Sequence, residues 1–301
     1  LGQNWFLRRR ALVLGIIYVQ SRSRGDGDVF AFAPKFRKRP ERVREIGWLH
    51  HAPKIGFVLL GAIVVALPLL VTLPSRQLVY ASVVCFAICA MSLSVITGWA
   101  GQLSLAQMTF AGFGTLFAAA FTRGFEMDVW VIDFTAPAMP FLVAIPLAAV
   151  VVSGMAVVIG LGALRVRGLR LAVTTFVFAV AAQQYIYKIP MFSEGNSSSV
   201  TFRRGSLFGL SLESHRTYYY LCLTVLLIIF VIVSRLRRSG VGRTTIAVRD
   251  NPDAAAGYTV SPTRTKLFAF AAAGGIVAIG GSLLAGLLES VPFRSQFFLS
   301  S

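Results

Sequence analysis

The longest uncharged stretch of the chain, residues 77–122, limits what this sequence can fold into. No Asp, Glu, Lys or Arg occurs between Arg76 and Arg123. A helix that crosses a membrane needs about 20 mainly apolar residues, so this stretch has room for two spans. Gly98 and Gly101 lie near its middle and allow the backbone to leave helical geometry. The stretch predicts two membrane helices with a break at residues 98–102, where the intervening Trp99 suits a membrane–water interface.

The composition of the whole chain extends this prediction. Of its 301 residues, 56% are hydrophobic and only 14% are charged, whereas soluble domains carry about 25% charged residues. We therefore expect an all-α, polytopic helical membrane protein with a basic N-terminal arm at residues 1–55 and a transmembrane domain at 56–301. The apolar segments predict about seven spans, at residues 56–74, 78–97, 103–122, 137–164, 169–187, 218–234 and 267–288.

The distribution of basic residues predicts the orientation. With the N-terminus inside, the inner segments are residues 1–55, 98–102, 165–170 and 235–266. Only seven of the 29 Lys and Arg residues then lie outside, which is the bias expected of cytosolic loops. This bias accounts for the net charge of +17 without a nucleic-acid partner. The seven outer residues are Arg76, Arg123, Lys188, Arg203, Arg204, Arg216 and Arg294.

The two ends of the chain are less informative. Residues 1–20 combine an arginine triplet with an apolar run, so they resemble a signal peptide but equally suit the end of an upstream domain. Residues 40–49 predict a surface-lying helix that begins at Pro40, or else a disordered basic linker. The chain begins with Leu1 and stops soon after a span. We therefore expect a fragment that is truncated at its C-terminus.

The inner loop at residues 235–266 contains a strong signal for a short helix. Asn251 is a favourable N-cap and Pro252 fits the first helical position. Asp253 places negative charge where the helix dipole favours it. Three alanines follow, and Gly257 ends the pattern. We predict a short, small-sided helix that a partner protein can push. The alternative is a capped surface turn without a partner.

Several kinds of chemistry have no support in the sequence. The three cysteines lie in apolar spans without neighbouring ligands, so we expect buried thiols and neither a metal site nor a disulfide framework. The inner loop lacks the glycine and lysine of a phosphate-binding loop. Ionisable groups lie in loops or at span ends, whereas ion-coupled carriers usually keep one within the membrane. We expect no cofactor and no enzymatic activity.

Three segments of the chain together resemble a known family, the branched-chain amino acid permeases of bacterial ABC importers. They are the run from Thr97 to Leu105 followed by Phe110, Gly112 and Gly114; Arg167-Gly168-Leu169 with Leu171 to Phe176; and Gly242-Arg243, Arg249-Asp250-Asn251 and Ala254-Ala255 with Lys266 to Phe270. Four positions depart from the pattern: Ser94 replaces the usual Asn, Ala106 and Thr259 replace Gly, and Arg170 replaces an aromatic residue.

The resemblance implies an ABC importer permease fold in the bacterial inner membrane, in which two permease subunits form the pathway. ATP-binding subunits then dock on the inner loop, and an extracytoplasmic substrate-binding protein delivers the amino acid. We expect ATPase coupling through Arg249, Asp250, Asn251, Pro252, Asp253, Ala254, Ala255 and Gly257, and a helix break beside the pathway at Gly98, Gly101, Gln102 and Ser104. The alternatives are a stand-alone secondary carrier or channel for small polar solutes, or a structural membrane protein.

Overall fold

A computed structural model describes residues 47–71, 73–129, 132–165, 169–188, 199–201, 206–207, 210–211, 214–288 and 290–292. Its main elements are α-helices. They are α1 (Gly47–Leu70), α2 (Pro74–Leu93), α3 (Gln107–Arg123), α4 (Phe141–Ala163), α5 (Leu169–Gln184), α6 (His215–Arg238), α7 (Gly240–Asp250), α8 (Pro252–Gly257) and α9 (Pro262–Leu288). A π-helix at Ser94–Trp99 follows α2 directly, and a single 3-10 turn at Ile186–Lys188 follows α5.

Short strands connect some of the helices. Strands β1 (Phe125–Val129) and β2 (Ile132–Ala136) form an antiparallel hairpin between α3 and α4. Strand β3 (Ser199–Thr201) pairs antiparallel with β6 (Ser290–Pro292), and β4 (Ser206–Leu207) pairs with β5 (Leu210–Ser211). The β3–β6 pair joins the segment that precedes α6 to the segment that follows α9.

Helix α9 lies at the centre of the bundle and packs against α2, α3 and α4. The most apolar 18-residue segment of α9 is 67% buried. The corresponding segments of the other three helices long enough to span a membrane are 22% to 44% buried. Two glycines explain how it approaches α3 so closely. An added Cβ at Gly114 would meet the backbone of Ala278, and one at Gly281 would meet the backbone of Ala111. Small residues of this kind are typical of helix contacts in membranes.

Hydroxyl groups add direct hydrogen bonds between these helices. Thr115 Oγ1 of α3 donates to the carbonyl of Gly281 at 3.0 Å, and Ser282 Oγ of α9 donates to the carbonyl of Gly114 at 2.8 Å. Tyr218 OH of α6 donates to the Leu283 carbonyl at 2.6 Å. Each such bond in a membrane bundle contributes roughly 0.6 kcal/mol. Together they fix α9 relative to α3 and α6.

The helical class predicted from the sequence is confirmed. A described helix coincides with each of the seven predicted spans, although boundaries shift by several residues. Within the described ranges, four helices are long and apolar enough to cross a membrane: Pro74–Trp99, α4, α6 and α9. Helices α3 and α5 contain 17 and 16 residues. The count of seven spans and the inner N-terminus stay predictions.

The chain divides into two compact units, residues Leu1–Gly61 and Ala62–Ser301. In the first unit, the described part is the beginning of α1. The second unit holds the helical core. The predicted boundary at residue 55 stays a prediction. Of the surface-lying helix predicted at residues 40–49, residues 40–46 lie outside the described residues, like most of the basic arm, and residues 47–49 belong to α1.

Candidate functional site

The predicted helix break begins earlier than the glycines do. Helix α2 widens into a π-helix at Ser94–Trp99, and the amide of Ala100 donates to the Val95 carbonyl at 3.3 Å. Gly101 then adopts a φ of 65°, a conformation that costs an L-residue with a side chain about 1–2 kcal/mol. Single π-helical turns are frequent at functional sites. The break therefore combines a widened turn with a glycine in the left-handed region, which favours glycine.

The chain between the break and α3 is neither helix nor strand, and its two polar side chains are buried. Gln102 and Ser104 are each 5% exposed, whereas Leu103 and Leu105 are 41% and 55% exposed. Buried and exposed residues therefore alternate along this segment. The amide of Leu105 donates to Thr175 Oγ1 of α5 at 3.1 Å, which anchors the segment. Trp99 is 8% exposed and packs in the core, and its predicted position at a membrane–water interface stays a prediction.

The inner loop contains the predicted short helix, α8, and a second helix that we did not predict, α7. Asn251 separates them with an extended φ of −154°. Its Oδ1 accepts a hydrogen bond from the amide of Ala254 at 2.9 Å, which is the N-cap contact expected. Pro252 occupies the first helical position. Helix α7 packs through Thr245 and Val248, which are buried.

The exit from α8 is unusual. Thr259 adopts a φ of 65°, in the left-handed region that a β-branched residue rarely enters. This is the position at which the resemblance leads one to expect glycine. The three alanines of α8 also differ from one another: Ala254 and Ala256 are exposed, whereas Ala255 is buried within this chain. Only the exposed pair is available to another protein.

Arg249 joins the two predicted sites. Its Nη1 donates a hydrogen bond to the carbonyl of Gly98 in the helix break. Its aliphatic stem lies over Gly101, where an added Cβ would stand 3.1 Å from Arg249 Cδ and nearer still to Cγ. Asp250 holds the guanidinium from the other side, with Oδ1 at 2.9 Å from Nε and 2.8 Å from Nη2. The end of α7 is therefore in direct contact with the end of the π-helix.

The remaining residues of the predicted coupling group are not in contact with the break in this way. Pro252, Asp253, Ala254 and Gly257 are exposed along α8. They form the outer side of the α7–α8 pair. Whether these residues bind a partner stays a prediction, as does the role of the break beside a pathway.

Three polar residues near the break, Ser92, Gln107 and Thr175, were not predicted as site residues. Gln107 begins α3 and is 3% exposed, and its Oε1 accepts a hydrogen bond from Ser92 Oγ at 3.3 Å. Thr175 on α5 is fully buried, and its Oγ1 accepts a hydrogen bond from the Leu105 amide. The available signal was a glutamine inside an otherwise apolar stretch, because polar groups at membrane depth are costly and often functional.

The three cysteines are buried, as expected. Cys85 Sγ lies 3.8 Å from Cys222 Sγ, across the contact between α2 and α6. Among the residues that the structure describes, His, Cys, Asp and Glu form no group of three that could hold a metal ion.

Two curated proteins are similar to the chain over 271 residues. One is the high-affinity branched-chain amino acid transport system permease protein LivM of Salmonella typhimurium, which is 24% identical over 82% of this chain and 61% of the relative. The protein of the same name from Escherichia coli is 23% identical over the same shares. The chain thus spans 61% of the length of these relatives. No solved structure matches the chain.

A family model extends over most of the chain. The family is described as the permease component of the branched-chain amino acid transport system, and the match covers residues 73–300. This range includes the helix break, the α7–α8 pair and the central helix α9. The chain belongs to the family of branched-chain amino acid transport system permease components.

Proposed function

We propose that this chain is the membrane-spanning subunit of an ATP-driven importer for branched-chain or related small amino acids. In this proposal it lies in the bacterial inner membrane and forms the pathway with a second permease subunit. Separate ATP-binding subunits engage its inner loop, and an extracytoplasmic binding protein supplies the substrate. The family membership supports the substrate class, and the similarity to the two LivM proteins agrees with it.

The observation that carries the coupling part of the proposal is the contact of Arg249 with Gly98 and Gly101. ATP binding would close the ATPase pair and displace α8. Helix α8 is joined to α7 by the single residue Asn251, and α7 contacts the helix break through Arg249. A displacement on the inner side is therefore delivered to the backbone of the break. The states can interconvert only if these contacts differ between them.

The coupling surface is tested by Ala254→Trp. Ala254 is exposed, so the substitution leaves the fold intact and places a large ring where the ATPase docks. We expect loss of transport-coupled ATPase activity in proteoliposomes containing the whole importer, with normal membrane insertion and an unchanged melting temperature. Ala181→Trp is the control, since Ala181 is exposed on α5.

The same preparation separates this proposal from a carrier that acts alone. Uptake of radiolabelled leucine must require both ATP and the ATP-binding subunits. Normal coupling in Ala254→Trp would count against the docking surface, and leucine uptake by the purified chain without nucleotide would count against the importer.

A further inference from the structure

The segment after the helix break, together with the first residue of α3, contains buried polar atoms that have no hydrogen-bond partner among the described residues. They are both side-chain atoms of Gln102, the Oγ of Ser104 and the Nε2 of Gln107. These residues are 5%, 5% and 3% exposed. Buried polar groups are almost always hydrogen-bonded, and an exception calls for an explanation.

The arrangement of these groups is suited to a ligand. Gln102 and Ser104 are both buried, and they precede Ala106, the N-cap of α3, by four and two residues. Gln107 is the first residue of α3. Three buried side chains that can donate a hydrogen bond therefore lie within four residues of the N-cap of this helix.

The local electrostatics favour a negative ligand. Helix α3 has 17 residues, and Ala106 offers no side-chain acceptor to its first amides, so the partial positive charge of the N-terminus is not offset there. The stretch from residue 77 to residue 122 contains no carboxylate. Arg249, which contacts the break at Gly98, forms an ion pair with Asp250 and so adds no net charge there. The hydrogen-bond donors and the helix terminus favour an anion over a cation.

We propose that Gln102, Ser104, Gln107 and the N-terminus of α3 bind the carboxylate group of the transported amino acid. The proposal rests on the proposed function, because it takes a free amino acid as the cargo. Interrupted membrane helices use their N-terminal ends for anionic substrate groups in other transporter folds. The side-chain Oε1 of Gln102 is a hydrogen-bond acceptor, and it suits the ammonium group of the same amino acid. The site would thus select zwitterionic amino acids over their amides.

Thermal unfolding of the purified chain tests the site without its partners. We expect leucine and isocaproate, which lacks the ammonium group, to raise the melting temperature, and leucinamide, which lacks the carboxylate, to leave it unchanged. The double variant Gln102→Leu with Ser104→Ala should lose the response. The matched control is Gln77→Leu with Ser82→Ala, because Gln77 is buried but its Nε2 already donates to the Val71 carbonyl at 2.8 Å.

The variant also distinguishes a ligand site from a structural hydration site. Without ligand, the double variant should unfold at the same temperature as the native chain or higher, because unpaired buried polar groups have been removed. A clear fall in its melting temperature would indicate that the groups serve stability, and this would overturn the proposal. Equal stabilisation by leucinamide, or no response to either carboxylate, would overturn it as well.

Uptake by the reconstituted importer separates this inference from the proposed function. We expect leucine uptake to fall roughly tenfold or more in the double variant, since hydrogen bonds to a charged group are lost. Normal uptake in the double variant would refute the site and leave the importer assignment standing. A carboxylate-specific thermal response without any leucine uptake by the native importer would refute the assignment and support the site.

Discussion

The contact between Arg249 and the helix break can be measured by replacing Gly101 with alanine. The substitution destabilises the folded chain in two ways, one through the backbone and one through the Arg249 side chain. A residue with a Cβ at a φ of 65° loses about 1–2 kcal/mol. The new methyl group would also overlap the stem of Arg249, so the side chain must move and release the Gly98 carbonyl. Hydrogen bonds to charged groups contribute about 1.5–3 kcal/mol, and because the Arg249 side chain is 39% exposed we expect about 1 kcal/mol here.

A double-mutant cycle therefore has a defined outcome. Gly101→Ala alone should lower the free energy of unfolding by about 2–3 kcal/mol, and Arg249→Ala alone by about 1 kcal/mol. In the Arg249→Ala background the steric cost disappears, so Gly101→Ala should then cost only about 1–2 kcal/mol. The coupling of about 1 kcal/mol is within the range for residues in contact.

The assay is unfolding of the purified chain by sodium dodecyl sulfate in mixed micelles, monitored by circular dichroism. Gly98→Ala is a useful control, because an added Cβ there meets nothing within 4 Å. Strict additivity of the two single variants would refute the reasoning. It would mean that Arg249 does not lie over Gly101 in the folded chain.

Two further substitutions test backbone features described above. Thr259→Gly should stabilise the chain by about 1 kcal/mol, because it relieves a left-handed conformation at a β-branched residue, and a melting temperature that falls would contradict this. Gly281→Ala should destabilise it by about 1–3 kcal/mol, since the methyl group meets the backbone of Ala111. Gly154→Ala, which has open space around it, should instead leave stability unchanged or raise it slightly.

The sequence predicted those features that depend on local rules. The N-cap at Asn251, the proline at the first position of α8 and the positions of the seven helical segments all follow from capping preferences and hydropathy. The break was located because Gly98 and Gly101 interrupt an uncharged run. These signals depend on residues close together in the chain.

Features that depend on tertiary contacts were not predictable in this way. Helix α7 contains Gly240 and Gly242, which lower helix propensity. The absent side chain of Gly242 lets α7 pack against the backbone at Arg237, and that reason becomes visible only once α6 and α7 are both placed. The bond from Arg249 to Gly98 joins residues 151 positions apart, beyond the reach of any local pattern.

The inward direction of Gln102 and Ser104 was also not foreseen. Hydropathy treats residues 103–122 as one span, whereas the helix begins only at Gln107. Residues 103–106 therefore do not follow the helical period, and buried and exposed residues alternate there.

The position of α9 has a consequence for biosynthesis. Helices α2, α3 and α4 leave the ribosome well before residues 262–288, and proteins are made from the N-terminus onward. The faces of these helices that contact α9 must therefore remain without their native neighbour while about a hundred or more further residues are translated. Helices α3 and α4 can contact each other before this step, but the core of the bundle is complete only when α9 inserts, late in synthesis.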